Sequence, residues 1–265
     1  MVIPHTPFWR PISCYWSGIY FMKILLSLLI SCLMSSTLYA ENLVIGTSSF
    51  NPPMETQVTK NDVFTGFEID LMNEICRRIN ANCVYEPMSF AGIMEAVAAG
   101  KVDLGIDGFF ITKERLAYYL FSSPYLRAKA QMFSAADSDI NSDNVNTGKR
   151  IGVEAGTVYK SLLQQMYDNV KVVEYNNQPD MLQDLSDHKL DLIMFDFIGA
   201  SYWVNDNPKE FKLVGKPISF DMGYGVMANL NRQELITRVN NALNSMENDG
   251  TYLAIYSRYF EGFQH

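Results

Sequence analysis

Residues 90–106 read Phe90-Ala91-Gly92-Ile93-Met94-Glu95-Ala96-Val97-Ala98-Ala99-Gly100-Lys101-Val102-Asp103-Leu104-Gly105-Ile106. Phe90, Ile93, Met94, Val97 and Ala98 recur at i, i+3, i+4, i+7 and i+8, the spacing of one apolar helix face. Gly100 supplies the left-handed residue that ends such a helix, and Val102 to Ile106 then reads as a strand. Cys83-Val84-Tyr85 upstream is also strand-like, so the stretch predicts a βαβ unit. Its junction, Lys101-Val102-Asp103-Leu104, is echoed by Lys189-Leu190-Asp191-Leu192, each after an amphipathic helical pattern and before a strand ending near an Asp. The echo predicts an α/β fold of two similar lobes. Sheets of this kind are covered by helices on both faces and bind ligands at the carboxyl ends of their strands, here in the cleft between lobes.

Working outward, Val44-Ile45-Gly46 reads as a buried strand, followed by a Pro-containing loop from Ser48 to Met54 and a polar turn at Lys60-Asn61-Asp62. Ile69, Met72, Ile75, Cys76 and Ile79 share one face of a helix whose end carries Arg77-Arg78, the charge the dipole favours there. Asp137 to Asn146, rich in Asp, Asn and Ser, predicts a surface turn. Leu235, Ile236, Val239, Leu243 and Met246 form one terminal helical stripe, and Tyr252, Ile255, Tyr256, Tyr259 and Phe260 form another after Asp249-Gly250.

The 265 residues are 48% hydrophobic and 19% charged, a composition that buries a core rather than staying disordered. A net charge of -8 repels phosphate backbones and anionic headgroups, which argues against nucleic-acid or peripheral membrane binding and toward small cations or zwitterions. Met1 to Ala40 contains no acidic residue and only Arg10 and Lys23 as basic ones. From Met22, a basic residue, the apolar run Ile24 to Leu33 and small residues up to Ala40 have the three regions of a secretory signal, so translation from Met22 and export to the periplasm are expected. A competing lipoprotein reading places the lipid on Cys32 after Leu29-Ile30-Ser31, but apolar and small residues continue beyond it.

Cleavage leaves Cys76 and Cys83 in a compartment that permits disulfides. Seven residues of continuous helix would separate them by about 10 Å of rise, so a bridge requires the helix to end between them, and Asn80-Ala81-Asn82 is a plausible stop. Two buried thiols are the alternative.

The residues give little support to common catalytic chemistry. His5 lies in the leader, His188 in a polar turn and His265 at the end, so no His–Ser, His–Cys or multi-His metal constellation is available, and no phosphate-cradling glycine loop appears. Acidic pairs are numerous enough to arise by chance. The informative stretch is Asp107-Gly108-Phe109-Phe110-Ile111-Thr112-Lys113-Glu114-Arg115, leaving a strand and entering a predicted helix capped by Thr112. Arg115 in its first turn opposes the helix dipole and asks for an anion; a guanidinium beside free N–H groups grips a carboxylate in two-pronged fashion. The alternative is an Arg paired with Glu114 or another surface acid.

Eight short matches in order, Gly46-Thr47, Pro52-Pro53, Gly66-Phe67-Glu68-Ile69-Asp70-Leu71, Ile111-Thr112-Lys113-Glu114-Arg115, Phe121-Ser122-Ser123-Pro124-Tyr125, Gly148-Lys149, Gly156-Thr157 and Asp249-Gly250-Thr251-Tyr252, resemble the periplasmic polar amino-acid-binding proteins of ABC importers, solute-binding protein family 3. The resemblance implies the type II periplasmic binding protein fold. Cys76 to Cys83 further resembles the cysteine pair of the lysine/arginine/ornithine-, histidine- and arginine-binding members, implying a disulfide.

By that resemblance Arg115 clasps a ligand α-carboxylate, helped by backbone N–H groups around Gly108 and Phe110 and by Thr157 and Val158 of the other lobe. Asp196 takes the α-ammonium, or else caps a helix after the strand Leu190 to Phe195. Phe90 matches an aromatic that stacks on the ligand side chain, or else packs in the core. Asp107 stands where Ser or Ala is common and Glu154 adds a second acid, favouring a cationic ligand: arginine first, then lysine, ornithine or histidine. Two departures are Asn51 at the usual loop aromatic, with Phe50 one place earlier, and Ser48 at a nearby acidic position. Phe110 replaces a small polar residue, leaving only its backbone to contact the ligand.

The expected organisation is a leader over Met1 to Ala40, lobe one from Glu41 to Ala128 plus Met222 to His265, and lobe two from Lys129 to Asp221, hinged near Lys129 to Phe133 and Gly223 to Val226. The expected partners are a free L-amino acid and an inner-membrane ABC permease, the chain itself being a monomer without cofactor, metal or nucleic acid. The rival function is a periplasmic enzyme on the same fold, such as a cyclohexadienyl dehydratase-like protein using Glu154 or Asp107 as proton donor.

Overall fold

The computed structural model describes residues 40–59, 63–220 and 222–261. The expected signal, the Cys32 lipobox and the turn at residues 60–62 lie outside the described residues.

The first sheet has the order β5-β1-β6-β13-β7, with β1 at Glu41–Thr47, β5 at Ala81–Pro87, β6 at Leu104–Gly105, β7 at Tyr119–Phe121 and β13 at Met227–Asn229. β1 runs parallel to β5 and β6, whereas β13 is antiparallel to β6 and β7. The helices α1 (Phe67–Arg78) and α2 (Phe90–Ala98) make the crossovers. The second sheet repeats the plan as β10-β9-β11-β8-β12, with β8 at Lys129–Ala135, β9 at Lys149–Glu154, β10 at Val170–Tyr175, β11 at Leu192–Asp196 and β12 at Phe211–Ser219. Here α3 (Tyr159–Met166) and α4 (Gln178–Ser186) connect the parallel strands, and β8 is the antiparallel neighbour of β11 and β12. The echo in the sequence is thus an echo in topology: in both sheets the first parallel strand sits between the second and third. α5 (Phe197–Asp206), α6 (Gln233–Asn248) and α7 (Thr251–Phe260) are the remaining helices among the described residues, and a small sheet of β2 (Phe50–Asn51), β3 (Glu55–Thr59) and β4 (Val63–Thr65) occupies the loop after β1.

The α2 stripe behaves as its spacing requires. Ser89 caps the helix by accepting from the N–H of Gly92, and Ile93 and Val97 are wholly buried against the sheet. Truncating Ile93 to Ala would cost about 2–5 kcal/mol in transfer and cavity terms. The sheet meets this helix at Gly105, where an added Cβ would lie 2.8 Å from Ile93 Cγ2, so the close approach needs glycine. In α1 the face from Phe67 to Cys76 is buried, and the Phe67 ring packs 4.9 Å from that of Phe260 on α7. The helix stops after Arg78, Asn80 takes a left-handed φ of 56°, and β5 follows. That stop brings the Cα atoms of Cys76 and Cys83 to 5.9 Å, and the two are joined by a disulfide.

Three expectations need correction. The strand expected over Val102 to Ile106 is confined to Leu104–Gly105, because Val102 and Asp103 belong to the turn that follows Gly100. The strand expected over Leu190 to Phe195 runs instead from Leu192 to Asp196, the Asp being its last residue. The helix expected after Thr112 is a single 3-10 turn, Arg115–Ala117, because the chain re-enters the sheet as β7 at Tyr119. Thr112 still caps it, its hydroxyl accepting from the N–H of Arg115 at 3.2 Å.

Candidate functional site

The carboxyl ends of the parallel strands of both sheets converge on one small cavity. Residues following β1 and β6 supply Asn51, Met54, Asp107 and Gly108, and α2 supplies Phe90. From the other side come Glu154 at the end of β9, Thr157 and Tyr159 after it, Gln178 at the start of α4, and Phe195 and Asp196 at the end of β11; Tyr224 closes the floor. The cavity measures about 30 Å³, roughly the volume of one water molecule. The two walls are therefore in contact: Gln178 Nε2 donates to Asn51 Oδ1 at 3.0 Å, Arg115 Nη2 donates to the Gly156 carbonyl at 3.1 Å, and the rings of Phe50 and Trp203 lie 6.0 Å apart. A second cavity of about 670 Å³, beside Tyr125, Phe197, Phe220 and Tyr252, has no acid among its described lining residues, whereas the smaller one gathers Asp107, Glu154 and Asp196.

That smaller site is a concentration of buried carboxyl groups. Ser48 donates to Asp107 Oδ2 at 2.5 Å, and Asn51 Nδ2 bridges Glu55 Oε1 at 2.9 Å and Asp107 Oδ1 at 3.0 Å. Glu68, wholly buried on α1, accepts from the Tyr125 hydroxyl at 2.5 Å and from the Gly108 N–H at 2.9 Å. The Gly108 N–H is thus engaged by Glu68. Burial pushes the Glu68 carboxyl up to about 8 and raises those of Glu55 and Asp107, with the neighbouring acids adding to the shift of Glu55. Across the cleft, burial also raises Glu154, and Asp196 to about 6. Among the described residues none of the five acids forms an ion pair with a basic side chain, so each has been desolvated without the cation that would compensate it.

Arg115 is the complementary case. It is 7% exposed, its Nη1 donates to the Phe110 carbonyl at 2.9 Å, and its guanidinium carbon lies 5.4 Å from the Phe90 ring centre and 5.8 Å from that of Phe109. Burial lowers its pKa to about 10. Neither Glu114 nor any other described acid lies within ion-pair distance, so the surface-pairing alternative is set aside. A buried guanidinium satisfied only by carbonyls retains N–H capacity for an anion.

The remaining expected residues divide between this centre and its support. Asp196 both lines the cavity and caps α5, accepting from the Gly199 N–H at 2.8 Å, so its two readings coexist. Phe90 likewise lines the cavity and packs 4.5 Å from Phe109. Phe110 is not among the lining residues; its ring packs behind them, 5.0 Å from Tyr224, 5.8 Å from Tyr159 and 4.5 Å from Phe220. Ser48 acts through Asp107, Phe50 touches Trp203, and Val158 packs against the core. Sequence reasoning missed Glu55, Glu68, Tyr159, Gln178 and Tyr224. Glu68 had a readable signal, since it stands at i, i+4, i+7 with Met72 and Ile75 on the buried face of α1. Gln178 had another: Asn177-Gln178-Pro179 is a cap followed by a helix start. Among the described residues no cluster of side chains could hold a metal ion, and His188 is exposed, 3.8 Å from Asp137.

Two α/β lobes closing on a charged cleft define a two-lobed solute-binding protein. The chain matches the model of the bacterial extracellular solute-binding proteins, family 3, over residues 43–262, and belongs to that family. A solved arginine third transport system periplasmic binding protein from Legionella pneumophila is 41% identical, with a TM-score of 0.80 over 83% of this chain and 100% of that one. The lysine/arginine/ornithine-binding periplasmic protein of Escherichia coli strain K12 is 30% identical over 249 residues, 89% of this chain and 95% of the relative. The ABC transporter arginine-binding protein 1 of the same strain is 29% identical over 241 residues, 90% and 98% of the two chains.

Proposed function

We propose that the protein captures a free L-amino acid with a cationic side chain, arginine first and lysine, ornithine or histidine behind it, and presents it to an inner-membrane ABC permease without chemical turnover. The observation that carries this reading is the mismatch of buried ionisable groups among the described residues: Asp107, Glu154 and Asp196 line the cleft without a basic partner, Glu55 and Glu68 lie buried behind them, and the Arg115 guanidinium beside it has no acid. A zwitterion bearing a second positive charge answers both. The names of the Legionella and Escherichia coli relatives support the same choice.

In this reading Arg115 takes the α-carboxylate with its planar fork, Asp196 takes the α-ammonium, and Asp107 with Glu154 takes the side-chain cation, whose stem lies along Phe90. Thr157 and Val158 contribute backbone from the second lobe, and Asn51, Ser48 and Phe50 shape the first. The lobes are 41–128 plus 222–265 and 129–221, rotating about residues 129–133 and 223–226, because few residues need absorb the motion. The leader over residues 1–40 directs a monomeric chain to the periplasm.

Thermal-shift measurement with all common amino acids plus ornithine tests the ligand, since a molecule that binds only the native state raises the midpoint by mass action. The largest rise is expected with arginine; a largest rise with glutamate overturns the cationic reading. Turnover of prephenate or arogenate by the purified protein would overturn the absence of catalysis.

A further inference from the structure

Gln178 opens α4 directly after its cap residue Asn177, is 3% exposed, and lines the cavity from the second lobe. Its amide is held in one orientation by a relay that begins at the carboxylates. Asn51 Nδ2 is committed to Glu55 Oε1 and Asp107 Oδ1, so Asn51 must turn its Oδ1 the other way, and Gln178 Nε2 donates to that oxygen at 3.0 Å. With Asn51 so placed, flipping Gln178 would set its oxygen against Asn51 Oδ1. The Gln178 side chain also meets Glu154. What remains is Gln178 Oε1, buried and without a donor. A buried acceptor left unpaired is costly, and the relay prevents this one from escaping by rotation.

We propose that Gln178 is a specificity-determining residue whose Oε1 accepts an N–H of the ligand guanidinium held between Asp107 and Glu154, while its Nε2 ties the second lobe to Asn51 on the first. The assignment rests on the function proposed above and sharpens it. Asp107 approaches from one lobe, Glu154 and Gln178 from the other, and all three offer acceptors. A guanidinium spreads five N–H donors around a plane and meets acceptors from several directions at once, whereas an ammonium carries three donors on a single nitrogen. The third acceptor therefore favours arginine over lysine, and it engages only when the lobes are together.

Titration calorimetry with L-arginine and L-lysine on the wild type, Gln178→Met and Gln178→Asn tests this. Losing a hydrogen bond to a charged group should weaken arginine by ~10- to 100-fold in Gln178→Met, with lysine weakened by only ~5-fold or less through the lost tie to Asn51. Gln178→Asn keeps the helix start and the amide but withdraws it by one methylene, and should lower the arginine-to-lysine preference in the same sense; ligand-free melting curves identify variants that fold. Equal weakening of both ligands, or no weakening, in a folded variant overturns the assignment while leaving the proposed function intact. A wild type that binds no basic amino acid overturns both.

Discussion

Arg115 of the first lobe donates through Nη2 to the carbonyl of Gly156 in the second at 3.1 Å, so this buried cation flanking the cleft is also a bond across it. Its other terminal nitrogen is anchored on its own lobe by Phe110. The guanidinium is thereby aimed rather than merely present, which is the condition for two-pronged recognition of a carboxylate.

Arg115→Ala should weaken arginine binding by about 100-fold or more, the loss of two charge-assisted hydrogen bonds. Arg115→Lys should recover little of it, because an ammonium cannot reproduce the planar fork. Calorimetric titration of both variants decides the matter; near-native affinity in either would remove Arg115 from the site.

Gly156 makes a second prediction about closure. Its φ of +84° favours glycine, and an added Cβ would stand 3.1 Å from Ala91 Cβ and 3.2 Å from Ala91 Cα on the opposite lobe. Gly156→Ala should therefore penalise the closed arrangement more than the open one and lower affinity for every ligand by a similar factor, about 10-fold for each 1.4 kcal/mol of obstruction. Small-angle scattering with saturating arginine should report a less compact particle than the wild type; an identical profile and affinity would refute the idea.

The buried acids predict an unusual pH profile. Glu68 has a carboxyl ordinarily near 4.5 that burial raises to about 8, so between those values the folded chain holds more protons than the unfolded one. Stability from this group is complete below about 4.5 and is lost as pH rises through about 8. Glu55 and Asp107 shift in the same direction. The ligand-free protein should melt higher at the acid end of that window than at its alkaline end, by about 2–4 °C for every 1 kcal/mol involved, and Glu68→Gln should flatten the difference. Arginine should reverse the trend, since a bound cation favours the ionised acids; a melting midpoint that rises with pH in ligand-free protein would contradict the assignment.

Trp203 is the single tryptophan after residue 40, and its ring faces Phe50 across the cleft at 6.0 Å. Opening and closing should change its surroundings, so arginine should alter its emission, and Phe50→Ala should reduce that change. An unchanged spectrum at saturating arginine would show that this contact does not respond to ligand.

Much of this architecture was legible because periodicity reports burial. The stripes of α1 and α2 and the repeated Lys-x-Asp-Leu junction gave both lobes, and the stop at Asn80 gave the disulfide its geometry. Arg115 stood out because it was expected to oppose a helix dipole; the helix is a single 3-10 turn, and its burial against the Phe110 carbonyl is what now marks it. The site was illegible where a polar residue hid within an apolar pattern, as Glu68 does on α1, or where its meaning depends on a residue 127 positions away, as for Gln178 and Asn51. The short turn at Arg115 was misjudged because Thr112 offers a genuine cap, while the early return to β7 is dictated by sheet pairing with β13.

That pairing has an outcome for synthesis. β13, from residues 227–229, is inserted between β6 and β7, whose residues precede it by a hundred positions or more. A chain emerging amino end first thus carries an incomplete first sheet, with two strand edges unfilled, until almost its whole length has appeared. Premature folding of that half is disfavoured by topology itself, and a product cut short before residue 227 would expose sticky edges instead of forming a smaller working jaw.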